Sequence, residues 1–214
     1  MQDARVRLTN TTLQLCLLAG AAVVFVACNN PDVSRLREGD IIFQTSKSSQ
    51  SKAIQLATHS KFSHMGIVRS EGGALFVCEA VQPVKLTPVY LWIERGEGGH
   101  FAVMRLKNAD TVLNQEGVRR IRSEENRYLG KKYDPYFEWS DDRMYCSELV
   151  WKVFDRAFHI QLGRLQHGSD FDFTHPVVQQ SLKVRFPGGF PPGEPCISPR
   201  AIFESDQIET VYVE

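Results

Sequence analysis

The sequence predicts an α+β domain in which an antiparallel sheet packs against a strongly amphipathic helix. Two observations carry most of this. Phe62 to Val68 and Leu75 to Val81 are strand-like runs on either side of Arg69-Ser70-Glu71-Gly72-Gly73, a hairpin pattern. Leu149, Val150, Val153, Phe154, Ala157 and Phe158 recur at three- and four-residue steps, as on a helix with one apolar face. The other helical and strand-like stretches mix unevenly rather than alternating, which points to α+β.

Residues 1–28 read as a targeting segment outside that fold. Arg5 and Arg7 form a short basic region, and Leu13 to Val26 is almost wholly apolar. That run has the length of a secretory apolar region and falls short of the roughly 20 residues a spanning helix needs. It ends at Phe25-Val26-Ala27-Cys28. A small residue before Cys28 resembles the bacterial lipoprotein cleavage signal, in which the cysteine becomes the lipidated first residue. Phe25 departs from that signal, where leucine is usual. An ordinary cleaved signal peptide and an uncleaved anchor are the alternatives. All three expect residues 31–214 to form one domain in the cell envelope, outside the cytoplasm. Asn29 is not the aspartate associated with inner-membrane retention, which favours an outer-membrane lipid anchor.

The charge balance, 25 basic against 25 acidic residues, argues against a nucleic-acid partner. Beyond the leader, which holds Cys16 and Cys28, stand Cys78, Cys146 and Cys196. An odd number at these spacings suits neither a disulfide framework nor a zinc site. Cys78 and Cys196 can pair in an oxidising compartment and leave Cys146 free. The six histidines are scattered, with no His-Glu-x-x-His and no paired cysteines, so neither a metal nor another cofactor is expected.

In chain order, Asp40 to Phe43 is a short apolar strand opened by Glu38-Gly39. Ser51 is a plausible N-cap for a helix over Lys52 to Thr58, with Ala53, Ile54 and Ala57 at helical spacing. After the hairpin come strand-like segments at Val84 to Leu86 and Phe101 to Leu106. A polar helix is expected from Asp110 to Leu129, weakened by Gly117 and closed by Gly130. The helix opening near Cys146 follows. Phe186 to Pro199, rich in glycine and proline, reads as an irregular loop, and Ile208 to Val213 as a closing strand.

The candidate site emerges from the hairpin. A two-residue loop at Glu71-Gly72 sets His64 directly opposite Glu79; one at Gly72-Gly73 makes them diagonal neighbours on one face. A three-residue loop moves Glu79 to the far face. On the shared face His64 and Glu79 interrupt Gly66, Val68, Leu75 and Val77, and a charge among such residues needs a partner. Cys146 precedes Leu149 and Val150 by three and four residues, so it joins the core-facing stripe at its helix N-terminus. There the macrodipole and unpaired N–H groups favour a thiolate, and the same N–H groups can receive an oxyanion. Taken singly, each has a structural explanation: an inert buried cysteine, or a glutamate satisfying a buried histidine.

Taken together, the motifs resemble a known family. Phe62-Ser63-His64-Met65-Gly66-Ile67-Val68, Val77-Cys78-Glu79-Ala80, Tyr133-Asp134 and Tyr145-Cys146-Ser147-Glu148-Leu149-Val150 are similar, in that order, to the permuted NlpC-type papain-like cysteine hydrolases, the YaeF/YiiX-like family. The similarity runs from Leu36-Arg37-Glu38-Gly39-Asp40 to Ile197-Ser198-Pro199. It implies a circularly permuted papain-like (NlpC-type) fold with the sheet packed against a nucleophile-bearing helix. Ordinary papain-like enzymes place the cysteine before the histidine; here the order is reversed. The resemblance implies Cys146 as nucleophile, His64 as general base and Glu79 as the group orienting the imidazole, with Tyr133 and Tyr145 as candidates for an oxyanion donor or a pocket wall. It further implies a thioester route to hydrolysis of amide or peptide bonds, with peptides or peptidoglycan fragments as substrates. Lipid acyl transfer or thioesterase work on the same triad, and a non-catalytic envelope binding lipoprotein, are the competing readings.

Overall fold

The structure, a computed structural model, describes residues 33–213. The expected leader, its lipidation at Cys28 and Cys16 lie outside the described residues.

Six antiparallel strands form one sheet in the order β4-β3-β2-β1-β5-β8. They are β1 (Ile41–Ser46), β2 (His64–Glu71), β3 (Ala74–Glu79), β4 (Lys85–Pro88), β5 (Gly96–Leu106) and β8 (Ile208–Val213). Two short strands, β6 (Lys132–Tyr133) and β7 (Arg143–Met144), pair in parallel beside it. The helices are α1 (Ser51–Thr58), α2 (Val89–Arg95), α3 (Ala109–Val112), α4 (Gln115–Tyr128), α5 (Cys146–Phe158), α6 (Pro176–Arg185) and α7 (Pro199–Phe203).

Alternation along the strands gives the sheet two apolar faces, each covered by helices. Ile41, Phe43, Met65, Ile67, Ala102 and Met104 share one core with Ile121 of α4 and Leu149, Val150, Val153 and Phe154 of α5. The opposite face buries Ile42, Val68, Val77 and Val103 beneath Trp92 and Ile93 of α2. Uncovered, either face would leave branched side chains in water at about 1.5–3 kcal/mol each.

Several expectations need correction. The helix expected over 110–129 is two helices, because Asn114 caps the second by accepting from the N–H groups of Glu116 (3.0 Å) and Gly117 (3.1 Å). Gly117 does not break α4. A Cβ there would lie 1.8 Å from the Val112 carbonyl oxygen, so glycine lets α3 abut α4. α2, α6 and α7 were not expected. Val89, Trp92 and Ile93 hold helical spacing, but over seven residues in α2 that signal is brief. α6 and α7 each carry proline at the first turn, where its missing N–H costs nothing. Pro199, expected in the loop, opens α7. Cys78, Cys146 and Cys196 are all buried free thiols, so the Cys78–Cys196 pairing, which the sequence allowed without predicting it, is not formed.

Candidate active site

The β2–β3 hairpin turns on Gly72 and Gly73, both in the left-handed region at φ 58° and 83°. Positive φ at both central residues gives the turn whose twist matches the flanking strands. The pairing that follows, Val68 with Val77 and Ile67 with Cys78, is the register of the Gly72-Gly73 loop. Glu79 therefore falls diagonal to His64 and opposite Gly66. At Gly66 a Cβ would sit 2.4 Å from Val77 Cγ1 and 2.6 Å from the Cys78 carbonyl oxygen. The missing side chain leaves the face open between imidazole and carboxylate.

Across that opening His64 Nε2 donates to Glu79 Oε2 at 2.6 Å. Three further donors converge on this fully buried carboxylate. Thr87 Oγ1 donates to Oε1 at 2.6 Å, Trp92 Nε1 to Oε2 at 3.0 Å, and Arg95 Nη2 to Oε2 at 2.5 Å. Burial by itself would raise the Glu79 pKa. The hydrogen bond and charge of His64, with Thr87 and Arg95, overrule it and hold the group at about 2. Thr87, Trp92 and Arg95 were missed by sequence reasoning. Thr87 lies opposite Val77 on β4, and the other two sit three residues apart on α2. The Trp92 ring also stacks on the imidazole, 5.9 Å between centroids.

With Nε2 turned to Glu79, Nδ1 is the imidazole nitrogen left for Cys146. Burial would lower the His64 pKa. Hydrogen bonds to Cys146 and Glu79, and their charges, outweigh it and raise the pKa to about 9. Cys146 is the first residue of α5, behind Tyr145, whose extended backbone (φ −105°, ψ 167°) sets the helix start. Glu148 accepts from the Tyr145 N–H at 3.3 Å and from Lys152 Nζ at 2.7 Å, which fixes the first turn. Cysteine, histidine and glutamate, 82 residues apart at their extremes, are thus brought together in one buried cluster.

The two tyrosines differ. The Tyr145 hydroxyl accepts from the Ile197 N–H at 3.1 Å, which ties the start of α5 to that loop, and its side chain lines the cavity beside Cys146. The Tyr133 hydroxyl accepts from Gln50 Nε2 at 2.5 Å, and Gln50 Oε1 in turn accepts from Arg185 Nη2. Burial and the neighbouring Cys146 push the Tyr133 pKa up, so it keeps its proton. Gln50 and Arg185 had no signal in the sequence, lying 83 and 52 residues from Tyr133.

Cys146 opens on one side into an apolar cavity of about 110 Å³ beneath α6. His64 faces a more open and more polar groove lined by Ser46, Lys47, Gln82 and Arg95. Gln50 and Tyr133 stand between the two and line both.

Residues 35–212 match the family model for permuted papain-like amidases, described as YaeF/YiiX, C92 family. The chain belongs to that family. As a C92 member it is a papain-like cysteine hydrolase of amide bonds. It is 47% identical over 176 residues to YiiX of Escherichia coli (strain K12), covering 82% of this chain and 86% of YiiX. A crystal structure of yiiX from Escherichia coli O157:H7 superposes with a TM-score of 0.80 at 46% identity, over 84% of this chain and 98% of that one.

That relative is described as a metalloprotein. Here the candidate donors do not fit a metal. Among the described residues no three His, Cys, Asp or Glu side chains group to hold an ion. Glu79, the carboxylate beside His64, already accepts four hydrogen bonds.

Proposed function

We propose that Cys146 is the nucleophile of this amidase, His64 its general base and acid, and Glu79 the group that orients the imidazole. The observation that carries this is the convergence of both ring partners on His64, with Glu79 on Nε2 and Cys146 on the other side. The thiol proton passes to His64, and Sγ adds to the amide carbonyl carbon. Backbone N–H groups at the α5 N-terminus and the Tyr133 hydroxyl receive the oxyanion. The imidazolium then protonates the departing amine as the C–N bond breaks, leaving a thioester. Water, deprotonated by His64, hydrolyses it to the acid and the free thiol. A peptide-type amide, including peptidoglycan-derived peptides, is the substrate class this chemistry suits.

The test needs no substrate. Iodoacetamide should alkylate Cys146 rapidly near neutral pH, and the rate should fall at least about 10-fold in His64→Ala. Alkylation at an ordinary rate, indifferent to His64, would overturn the assignment. For location, the proposal is an envelope lipoprotein anchored through Cys28, supported by the leader pattern. Mass spectrometry of the mature N-terminus should find an acylated Cys28; an acyl-free terminus elsewhere would refute the anchor.

A further inference from the structure

We infer that Arg185 and Gln50 are positioning residues for the amidase reaction, which fix the Tyr133 hydroxyl as a donor to the oxyanion through a one-way chain of hydrogen bonds. This deepens the proposed function and rests on its assignment of Cys146, His64 and Tyr133.

Strand pairing places the phenol. Tyr133 of β6 lies opposite Met144 of β7, two residues before Cys146, and the Asp134 N–H donates to the Met144 carbonyl at 3.0 Å. The Tyr133 side chain lines both the cavity beside Cys146 and the groove beside His64. A carbonyl attacked by Sγ, with its leaving nitrogen in reach of the imidazole, lies between those two spaces.

The direction of the chain comes from Arg185. A guanidinium has only donors, so the Gln50 amide must turn Oε1 to Arg185 Nη2. That leaves Nε2 facing Tyr133, whose oxygen accepts from it at 2.5 Å. A phenol has one proton, and with Gln50 donating to its oxygen that proton points elsewhere. Burial keeps the proton in place. Among the described residues no protein group accepts it, so it is free for a developing oxyanion.

Both outer links are held. Gln50 stands at the start of α1, where its backbone carbonyl accepts from the Ile54 N–H at 3.1 Å. Arg185, in the last turn of α6, lies over the Phe137 ring, 5.7 Å from its centroid, and meets no carboxylate among the described residues. Its charge polarises the amide, and a polarised chain strengthens donation by Tyr133. Without Arg185 the amide can turn over. Oε1 would then take the phenol proton, and the oxyanion would lose a donor.

Comparing p-nitrophenyl acetate with iodoacetamide on the full chain tests this, each read by mass spectrometry of Cys146. In acylation Sγ bonds to the acetyl carbon, the carbonyl oxygen takes the negative charge, and p-nitrophenolate leaves as the thiol proton passes to His64. Alkylation displaces iodide from a saturated carbon and forms no oxyanion. Tyr133→Phe and Gln50→Glu should each slow acylation about 100-fold, the order expected for one oxyanion donor, with alkylation held within about 2-fold. Gln50→Glu keeps the size and the Arg185 contact but has only acceptors, so it takes the phenol proton, whereas a merely bracing Gln50 would tolerate the change. Arg185→Met should slow acylation about 10-fold alone and no further in the Tyr133→Phe background. Arg185→Lys again has only donors and should recover most of that loss. Acylation by Gln50→Glu within about 2-fold of the unaltered protein, an Arg185→Met loss undiminished by Tyr133→Phe, or alkylation slowing in step with acylation overturns the inference. If alkylation of the unaltered protein is itself slow and indifferent to His64→Ala, the catalytic reading fails, and the inference with it.

Discussion

Glu79 and Glu125 are both all but inaccessible to water, at 0% and 1% exposure, yet they hold their protons oppositely. Glu79, at the end of β3, stays ionised down to about pH 2. Glu125, on α4, is pushed by burial to about 8 despite Arg69 beside it. The difference lies in the donors. Glu79 receives His64, Thr87, Trp92 and Arg95. Glu125 receives Arg69 Nη1 at 3.3 Å, and that guanidinium also serves Asn126 and Glu71. Burial penalises every charge; a carboxylate remains charged only where enough donors replace its water. A charged Glu79 keeps imidazolium favourable at His64, while a protonated Glu125 behaves as a neutral part of the α4–β2 packing.

The largest expected effect comes from removing the group that Glu79 serves. His64→Ala should lower amide turnover by roughly 10³–10⁴ in kcat, measured on any cleavable peptide amide. Glu79→Gln comes next. Its amide presents NH₂ to a cluster of donors, which should cost about 3 kcal/mol in urea unfolding and at least about 100-fold in kcat. Glu79→Gln with unchanged activity would erase the contrast between the two carboxylates. Arg95→Met removes one donor of four from a half-exposed position. A fall of about 10-fold in kcat, with the alkaline limb of the rate profile moved below pH 9, would show that Arg95 acts through the Glu79–His64 pair. Glu125→Gln should leave kcat within about 2-fold.

The same contrast appears in stability against pH. Glu79, with its pKa depressed, contributes stability above its ordinary 4.5 that is lost as pH falls through about 2. Glu125, with its pKa raised, contributes stability below 4.5 that is lost as pH rises through about 8. His64 contributes below its ordinary 6.5 and is lost through about 9. Between pH 5 and 6.5 the slope therefore comes from Glu125 together with Glu148, which burial also pushes to about 8, at most about 1.4 kcal/mol per pH unit from each, and Glu125→Gln should remove about half of it. Urea midpoints across that window check this smallest prediction.

Much of this was legible before any coordinates. The hairpin, its two glycines and the shared face of His64 and Glu79 follow from a period of two and a short list of turns, which is local physics. The α5 stripe follows from a period of 3.6, and the start of that helix at Cys146 agrees with it. The break at Asn114 was not read, because Asn-Gln-Glu-Gly continues a polar helical pattern and only the cap hydrogen bonds reveal the corner. α2 was not read either, since a seven-residue helix draws its stability from Trp92 and Ile93 meeting the sheet rather than from its own propensity.

From the sequence alone came the fold class and the candidate thiol, imidazole and carboxylate, because these depend on short-range periodicity and residue chemistry, and the family resemblance, which rests on the set and order of the motifs. Only the tertiary structure decided the rest. It chose between the two hairpin registers, brought Thr87, Trp92 and Arg95 onto Glu79, and placed Gln50 against Tyr133 and Arg185. Those contacts join segments far apart in the chain. The free energy of an ionised group depends on every dipole within a few ångströms, whichever segment supplies it.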